Sequence, residues 1–290
     1  RLSLVSPDEK LFPKFNLKLR NAMLEETTLF IDSIIREDRS ILDFIDADYS
    51  FMNDVLAQHY GIADVNGNRP GRKYLKPKGE LIQGSQFKRV TFSDGERGGL
   101  LTQASLLTVT SNPTRTSPVK RGKWVLEQLL GTPPPPPPPN VPELESGAVL
   151  KGTLRQRMEQ HRANASCASC HARMDPIGFA FENFDAIGAF RQKDGEHPID
   201  PAGTLPSGQN FKGYQDLRTI LKEKKAEFSR CLAEKLLTYA LGRGLEMYDT
   251  RSVDRICDAL AKNTFTFSTL AIEIVRSEPF RLRRGKEDAK

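Results

Sequence analysis

Cys167-Ala168-Ser169-Cys170-His171 gathers two of the four cysteines and one of the four histidines into five residues. Two thiols three residues apart reach the two vinyl groups of one porphyrin as thioethers, and the imidazole that follows then falls beneath the iron. This is the c-type haem attachment pattern. It points to one covalent haem bound through Cys167 and Cys170, with His171 as proximal iron ligand. The competing chemistries need other residues. A zinc site wants a second ligand pair at short spacing, and Cys231 and Cys257 lie 26 residues apart with no histidine beside either. A thioredoxin-like redox pair wants a strand-to-helix turn in a βαβ setting, which this region lacks. A plain disulfide between Cys167 and Cys170 leaves His171 unexplained.

The chemistry of such a haem turns on its sixth ligand: a Met raises the reduction potential, a second His lowers it, and an open position admits small ligands or peroxide. Met247 follows His171 by 76 residues in the helix-end turn Gly244-Leu245-Glu246-Met247-Tyr248 and is one candidate; its alternative is a surface or gap-filling Met. His161, six residues before Cys167, is a second, or it caps the end of its helix. His59 is a third, or a buried, hydrogen-bonded His. His197 sits in a polar loop and is expected in solvent. Met174, three residues past His171, lies on the proximal side and is set aside. Arg115 could pair with a haem propionate, where a guanidinium fork suits a carboxylate, unless Asn112 and Thr114 simply build a turn. Asp175, Glu182 and Asp185 could hold a Ca²⁺ beside the haem pocket; capping and salt bridges to Arg173 or Arg191 explain them equally well.

The elements that must position these residues read as helices. Apolar Leu17, Leu24, Phe30, Ile31, Ile34 and Ile35 give helical spacing over 17–36. Ser40 caps a short helix through Ile45, and Asp48 or Ser50 a third ending at Gly61. Residues 62–98 are rich in Gly, Pro and charge, with a short hairpin expected around Phe87 to Phe92. Helices follow over Gly99–Leu107 and Lys120–Leu130. Seven consecutive prolines, Pro133 to Pro139, then form a polyproline II rod, about 20 Å long at about 3.1 Å per residue. After the rod come a charged helix over Leu150–Ala163, loops over 176–213, Tyr214–Leu241 broken in its middle, Ser252–Ala261 and Ser268–Val275. Strands and helices do not alternate, so the fold class is mainly α. The expected parts are a helical N-terminal part (1–131), a Pro-rich connector (132–149) and a cytochrome c-like helical haem domain with long loops (150–290).

The 290 residues are 38% apolar and 28% charged, with net charge +6, which fits a globular chain that can bury a core. No apolar run reaches the length of a membrane span. The first residue is Arg1 rather than Met, which suggests a processed product or a fragment. Basic and aromatic residues are not interleaved on a platform, which argues against nucleic acid. The basic tail, Arg281, Arg283, Arg284 and Lys286, reads as a solvated terminus or a docking site for an acidic partner. Cys231 and Cys257 would form a disulfide in an oxidising compartment, or remain two buried thiols.

Three segments closely resemble the large planctomycete-type cytochrome proteins, multidomain secreted chains built from several domains of unknown function. They are Cys167 to Asp185 (CASCHARMDPIGFAFENFD) continued by Ala186 to Arg191, Gly98 to Val119 (GGLLTQASLLTVTSNPTRTSPV) with the proline run, and Cys231 to Leu245 (CLAEKLLTYALGRGL) closed by Ser277 to Arg281. Leu56 to Ile62 (LAQHYGI) fits as well. The resemblance implies the C-terminal portion of such a protein, spanning three consecutive domains, with the rest of a longer parent as partner. Because haem c is attached outside the cytoplasm, a periplasmic or cell-surface location is expected. The leading expectation is an electron-transfer module that meets a redox partner protein. The alternatives are a haem peroxidase or oxidoreductase with an open distal site, and a binding module for which the haem is a structural staple.

Overall fold

The structure, a computed structural model, describes residues 2–69, 79–136, 152–161 and 165–282. Helix α1 (Leu17–Arg36) starts where the Asn16 side chain accepts from the Leu19 amide, and it buries Leu19, Met23, Phe30 and Ile34 along one face. A single turn, α2 (Asp43–Asp46), leads into strand β1 (Tyr49–Met52) and helix α3 (Asp54–Tyr60). The cap of α3 is Asn53, not Asp48 or Ser50, and Gly61 ends it in the left-handed region at φ 68°. Ser50 lies within β1 and turns inward to a buried acid. Strand β2 (Lys88–Thr91) pairs antiparallel with β1, Tyr49 opposite Thr91, so Phe87–Phe92 is no local hairpin.

Helix α4 (Ala104–Val109) is followed by α5 (Pro118–Trp124), which starts two residues earlier than expected because Ser117 caps it and Pro118 suits the first turn. One π turn (Val125–Leu129) extends α5, closed by the Leu130 amide on the Val125 carbonyl at 3.0 Å. Helices α6 (Leu154–His161) and α7 (Ala165–Phe179) follow. Two small hairpins come next, β3 (Lys193–Asp194) with β4 (His197–Pro198), and β5 (Gly203–Thr204) with β6 (Asn210–Phe211). Helices α8 (Tyr214–Glu223) and α9 (Lys225–Leu241) meet at Lys224, the expected break. The chain closes with α10 (Thr250–Lys262), α11 (Phe267–Arg276) and α12 (Glu278–Arg281). The protein is mainly α. Most of the expected connector 132–149, together with Arg283, Arg284 and Lys286, lies outside the described residues.

Residues from both sides of the proline run share one core: Ile41, Leu101 and Val125 pack with Met174, Ile177, Leu217, Leu237 and Leu270. The tightest joint is α5 on α7. A Cβ added to Gly122 would stand 1.9 Å from the Met174 carbonyl oxygen, and one on Gly178 would stand 1.9 Å from that of Pro118. Only glycine lets the two backbones approach this closely. Loops were expected over 176–213 from their many Gly, Pro, Asp and Asn residues. Instead α7 runs through Pro176 to Phe179, packed closely on α5 at Gly122 and Gly178.

The loop after α7 folds back over a buried polar network. Arg97, 1% exposed, donates to the carbonyls of Thr102 and Gly188 at 2.7 Å each, and its guanidinium lies 3.7 Å from the centre of the Tyr60 ring. Arg121, 3% exposed, donates to the carbonyls of Phe181, Phe184 and Asp185 at 2.7–2.8 Å. The Tyr60 hydroxyl donates to Glu26 at 2.6 Å and accepts from the Ala104 amide, while Ser50 donates to the other Glu26 oxygen at 2.7 Å. His59 Nε2 donates to the Ile187 carbonyl at 2.7 Å. Burial pushes Glu26 up from 4.5 to about 7, against the hydrogen bonds of Tyr60 and Ser50. Burial pushes His59 down from 6.5 to about 4, and the bond to Ile187 offsets only part of that.

Two predictions follow from this packing. Gly178→Ala should lower the unfolding free energy by about 3 kcal/mol, the upper end for overpacking a tight contact; a urea midpoint equal to that of the wild type contradicts the joint. The two titrations act with opposite sign. Glu26 holds in the folded state a proton that the unfolded chain releases, so its contribution is lost as pH rises from 4.5 to about 7. His59 stays neutral where the unfolded chain binds a proton, so its contribution is lost as pH falls from 6.5 to about 4. Relative to the wild type, Glu26→Gln should therefore gain stability as pH rises through its window. His59→Gln should gain relative stability as pH falls through its own. Urea titrations across the range check this, and parallel curves for variant and wild type contradict it.

Candidate functional site

Helix α7 puts Cys167, Cys170 and His171 at positions i, i+3 and i+4, which share one face. The Cys170 thiol is free and half-buried. The His171 side chain is 16% exposed, and its Nδ1 lies 2.9 Å from an oxygen of Asp175, whose own side chain is 0% exposed. With Nδ1 donating to the carboxylate, the lone pair of the ring stands on Nε2, the nitrogen suited to bind a metal from this face. On either side of Asp175 the helix packs on α5 and the core: Met174 and Ile177 are buried, and the carbonyl of Met174 abuts Gly122. One end of the face can thus hold a ligand while the other is clamped. Two thiol positions and an imidazole with a defined tautomer fit the attachment of a c-type haem. The Cys167 side chain lies outside what the structure describes.

The other candidates are dispersed. Met247 is 93% exposed on the turn that leads into α10, standing in solvent rather than against α7. His161 is the last residue of α6, with its side chain outside the described part. His59 bonds to the loop that follows α7, as a hydrogen-bonded core histidine would. His197 is exposed on β4, as expected. Arg115 is half-buried and donates to the Thr116 carbonyl at 2.9 Å, within a turn that the Asn112 amide closes on the Arg115 carbonyl.

The three carboxylates expected to share a Ca²⁺ are each engaged separately. Asp175 bonds to His171; Glu182 accepts from Thr116 at 2.8 Å and from Arg191 at 3.2 Å; Asp185 accepts from the amides of Ile187 and Ala189. Among the described residues, no group of three or more His, Cys, Asp or Glu gathers in a metal-holding arrangement. Arg173 donates to the Thr132 carbonyl instead of meeting these acids. Cys231 and Cys257 are both free thiols; Cys231 is buried with its Sγ 3.4 Å from the Gln128 carbonyl. Burial pushes both thiols up from their ordinary range.

Sequence reasoning found the motif and missed its partner. Asp175 drew notice as a metal ligand, although its i+4 spacing from His171 on a continuous helix carries the hydrogen bond. The expectation of loops from 176 onward, with no helix assigned over the motif, hid that continuity. Arg97 and Arg121 drew none, since their partners are backbone carbonyls, which no residue type announces.

Among the described residues, no helix is long and apolar enough to cross a membrane. Three consecutive segments match family models. Residues 1–62 match Protein of unknown function (DUF1592), residues 97–194 Protein of unknown function (DUF1588), and residues 207–280 Protein of unknown function (DUF1585). The middle match spans both sides of the proline run and contains α7 with its motif. No curated protein and no solved structure matches the chain. Over most of its length, then, the chain is similar to three consecutive domain families of unknown function.

Proposed function

We propose that this chain is an extracytoplasmic mono-haem c-type cytochrome module that exchanges electrons with a redox partner protein, within a longer multidomain parent. The observation that carries the reading is the face of α7, where two cysteine positions precede a histidine whose Nδ1 is tied to a buried carboxylate. Cys167 and Cys170 would hold the haem as thioethers, and His171 would bind the iron through Nε2. When bound, haem c supplies a one-electron iron couple whose potential follows axial ligation, hydrogen bonding and burial.

The chain's own residues then have distinct tasks. Asp175 orients the imidazole. Gly122 and Gly178 let α5 brace the helix, so that the ligand's position depends on the core rather than on a loop. Arg121 and Arg97 hold down the segment that leaves the helix, keeping Phe181 and Phe184 buried beside it. The extracytoplasmic location follows from where thioether haem attachment takes place.

The test is the visible spectrum of the full chain made in a host with a haem-c maturation system, oxidised and then reduced. A six-coordinate, low-spin iron that cycles reversibly and ignores cyanide supports electron transfer. A high-spin iron that binds cyanide or turns over peroxide contradicts it in favour of an enzyme. Replacing both Cys167 and Cys170 with Ala should abolish covalent attachment while leaving the helical far-ultraviolet signal unchanged; haem retained through acid–acetone extraction contradicts the assignment.

A further inference from the structure

We infer that Asp175 is a positioning residue for the iron ligand, a buried carboxylate that fixes the tautomer of His171 and biases the iron towards its oxidised form. This inference rests on the haem reading above. It arises from the pairing itself: a 2.9 Å contact between His171 Nδ1 and an oxygen of an acid that is 0% exposed. A carboxylate accepting from Nδ1 makes the ring a stronger donor at Nε2 than a neutral carbonyl does, and stronger donation favours ferric over ferrous iron. Hydrogen bonds to charged partners are also the stronger class, so the ring's orientation is well held.

The acid is placed by the fold and not by chance exposure. The backbone contact of Met174 with Gly122 lies one residue before it, and that of Gly178 with Pro118 lies three residues after it. Pro176 follows directly, and because a proline has no amide hydrogen, the Ala172 carbonyl lacks its usual helical donor there. The helix accepts that loss within the histidine–acid turn while staying clamped at both flanks. Asp175 accordingly cannot swing to solvent without opening the α5–α7 joint.

The experiment compares the full chain with Asp175→Asn and Asp175→Glu, all matured with haem. Pyridine haemochrome and intact mass report attachment, and spectroelectrochemical titration reports the potential. Asp175→Asn should carry haem like the wild type, with the ferric-to-ferrous equilibrium shifted about tenfold towards ferrous, a rise of about 59 mV for one electron. Asp175→Glu, which keeps the charge, should recover part of that shift. An Asp175→Asn potential equal to that of the wild type overturns the inference and leaves the haem reading intact, whereas a wild type without haem overturns that reading itself. The wild type provides a readout that does not depend on any variant maturing. In its diamagnetic ferrous form, with carbon monoxide supplied where the sixth position is open, isotope-labelled His171 should show a protonated Nδ1 in slow exchange with water. Fast exchange at that nitrogen overturns the inference.

Discussion

Two buried guanidinium groups set the architecture around α7. A loop leaving a helix into the core brings carbonyl oxygens with it, and each needs a donor. Arg121 donates to three such oxygens, those of Phe181, Phe184 and Asp185, and Arg97 donates to that of Gly188. Placing a guanidinium out of water costs several kcal/mol, which these charge-assisted bonds, at about 1.5–3 kcal/mol each, offset only when all are made together. Burial lowers Arg121 to about 10, which still leaves it charged at neutral pH beside Glu182. The arrangement is therefore all or nothing. It fixes Phe181 and Phe184 under Tyr214, and it makes the N-terminal helices part of the same unit through Tyr60 and His59.

This constraint explains why the proline run does not separate two cores. Residues before it supply Arg97 and Arg121, and residues after it supply the carbonyls of Phe181, Phe184, Asp185 and Gly188 that these arginines hold. The 97–194 match spans the same stretch, from Arg97 past the loop. Helix α7 belongs to this joint unit, with one half of its length braced by glycine contacts and the other bearing the cysteine pair. His171 and the proposed thioether positions, Cys167 and Cys170, lie on the same helix, N-terminal to those contacts.

Much of the helical framework was legible because it rests on local periodicity. Of the apolar residues whose spacing marked α1, Phe30 and Ile34 are buried while Leu17, Leu24 and Ile35 are exposed, and its inner face also takes Leu19 and Met23. A break within Tyr214–Leu241 was expected without a position, and it falls at Lys224. What could not be read depends on distant partners. Strand β2 resembles half of a hairpin, but its mate β1 lies far upstream; Ser50 resembles a cap but hydrogen-bonds Glu26. Residues 176–179 read as loop from their composition, since the glycine contacts that accompany the continuation of α7 are visible only once α5 is in place. At the site, the five-residue motif was plain, whereas Asp175 was grouped with other acids by proximity in sequence rather than by helical register. Met247 entered through its spacing from the motif, and spacing says nothing about which way a turn faces.

The account stands on the covalent capacity of Cys167 and Cys170 with His171 beside them. Its most direct test is the intact mass of the full chain purified from a host whose haem-c maturation is verified with a control cytochrome. The account predicts a single species heavier than the polypeptide by one haem, with the added mass surviving denaturation. A chain that emerges at the mass of the bare polypeptide from a host that matures the control contradicts it, and returns the two cysteines to zinc or disulfide chemistry.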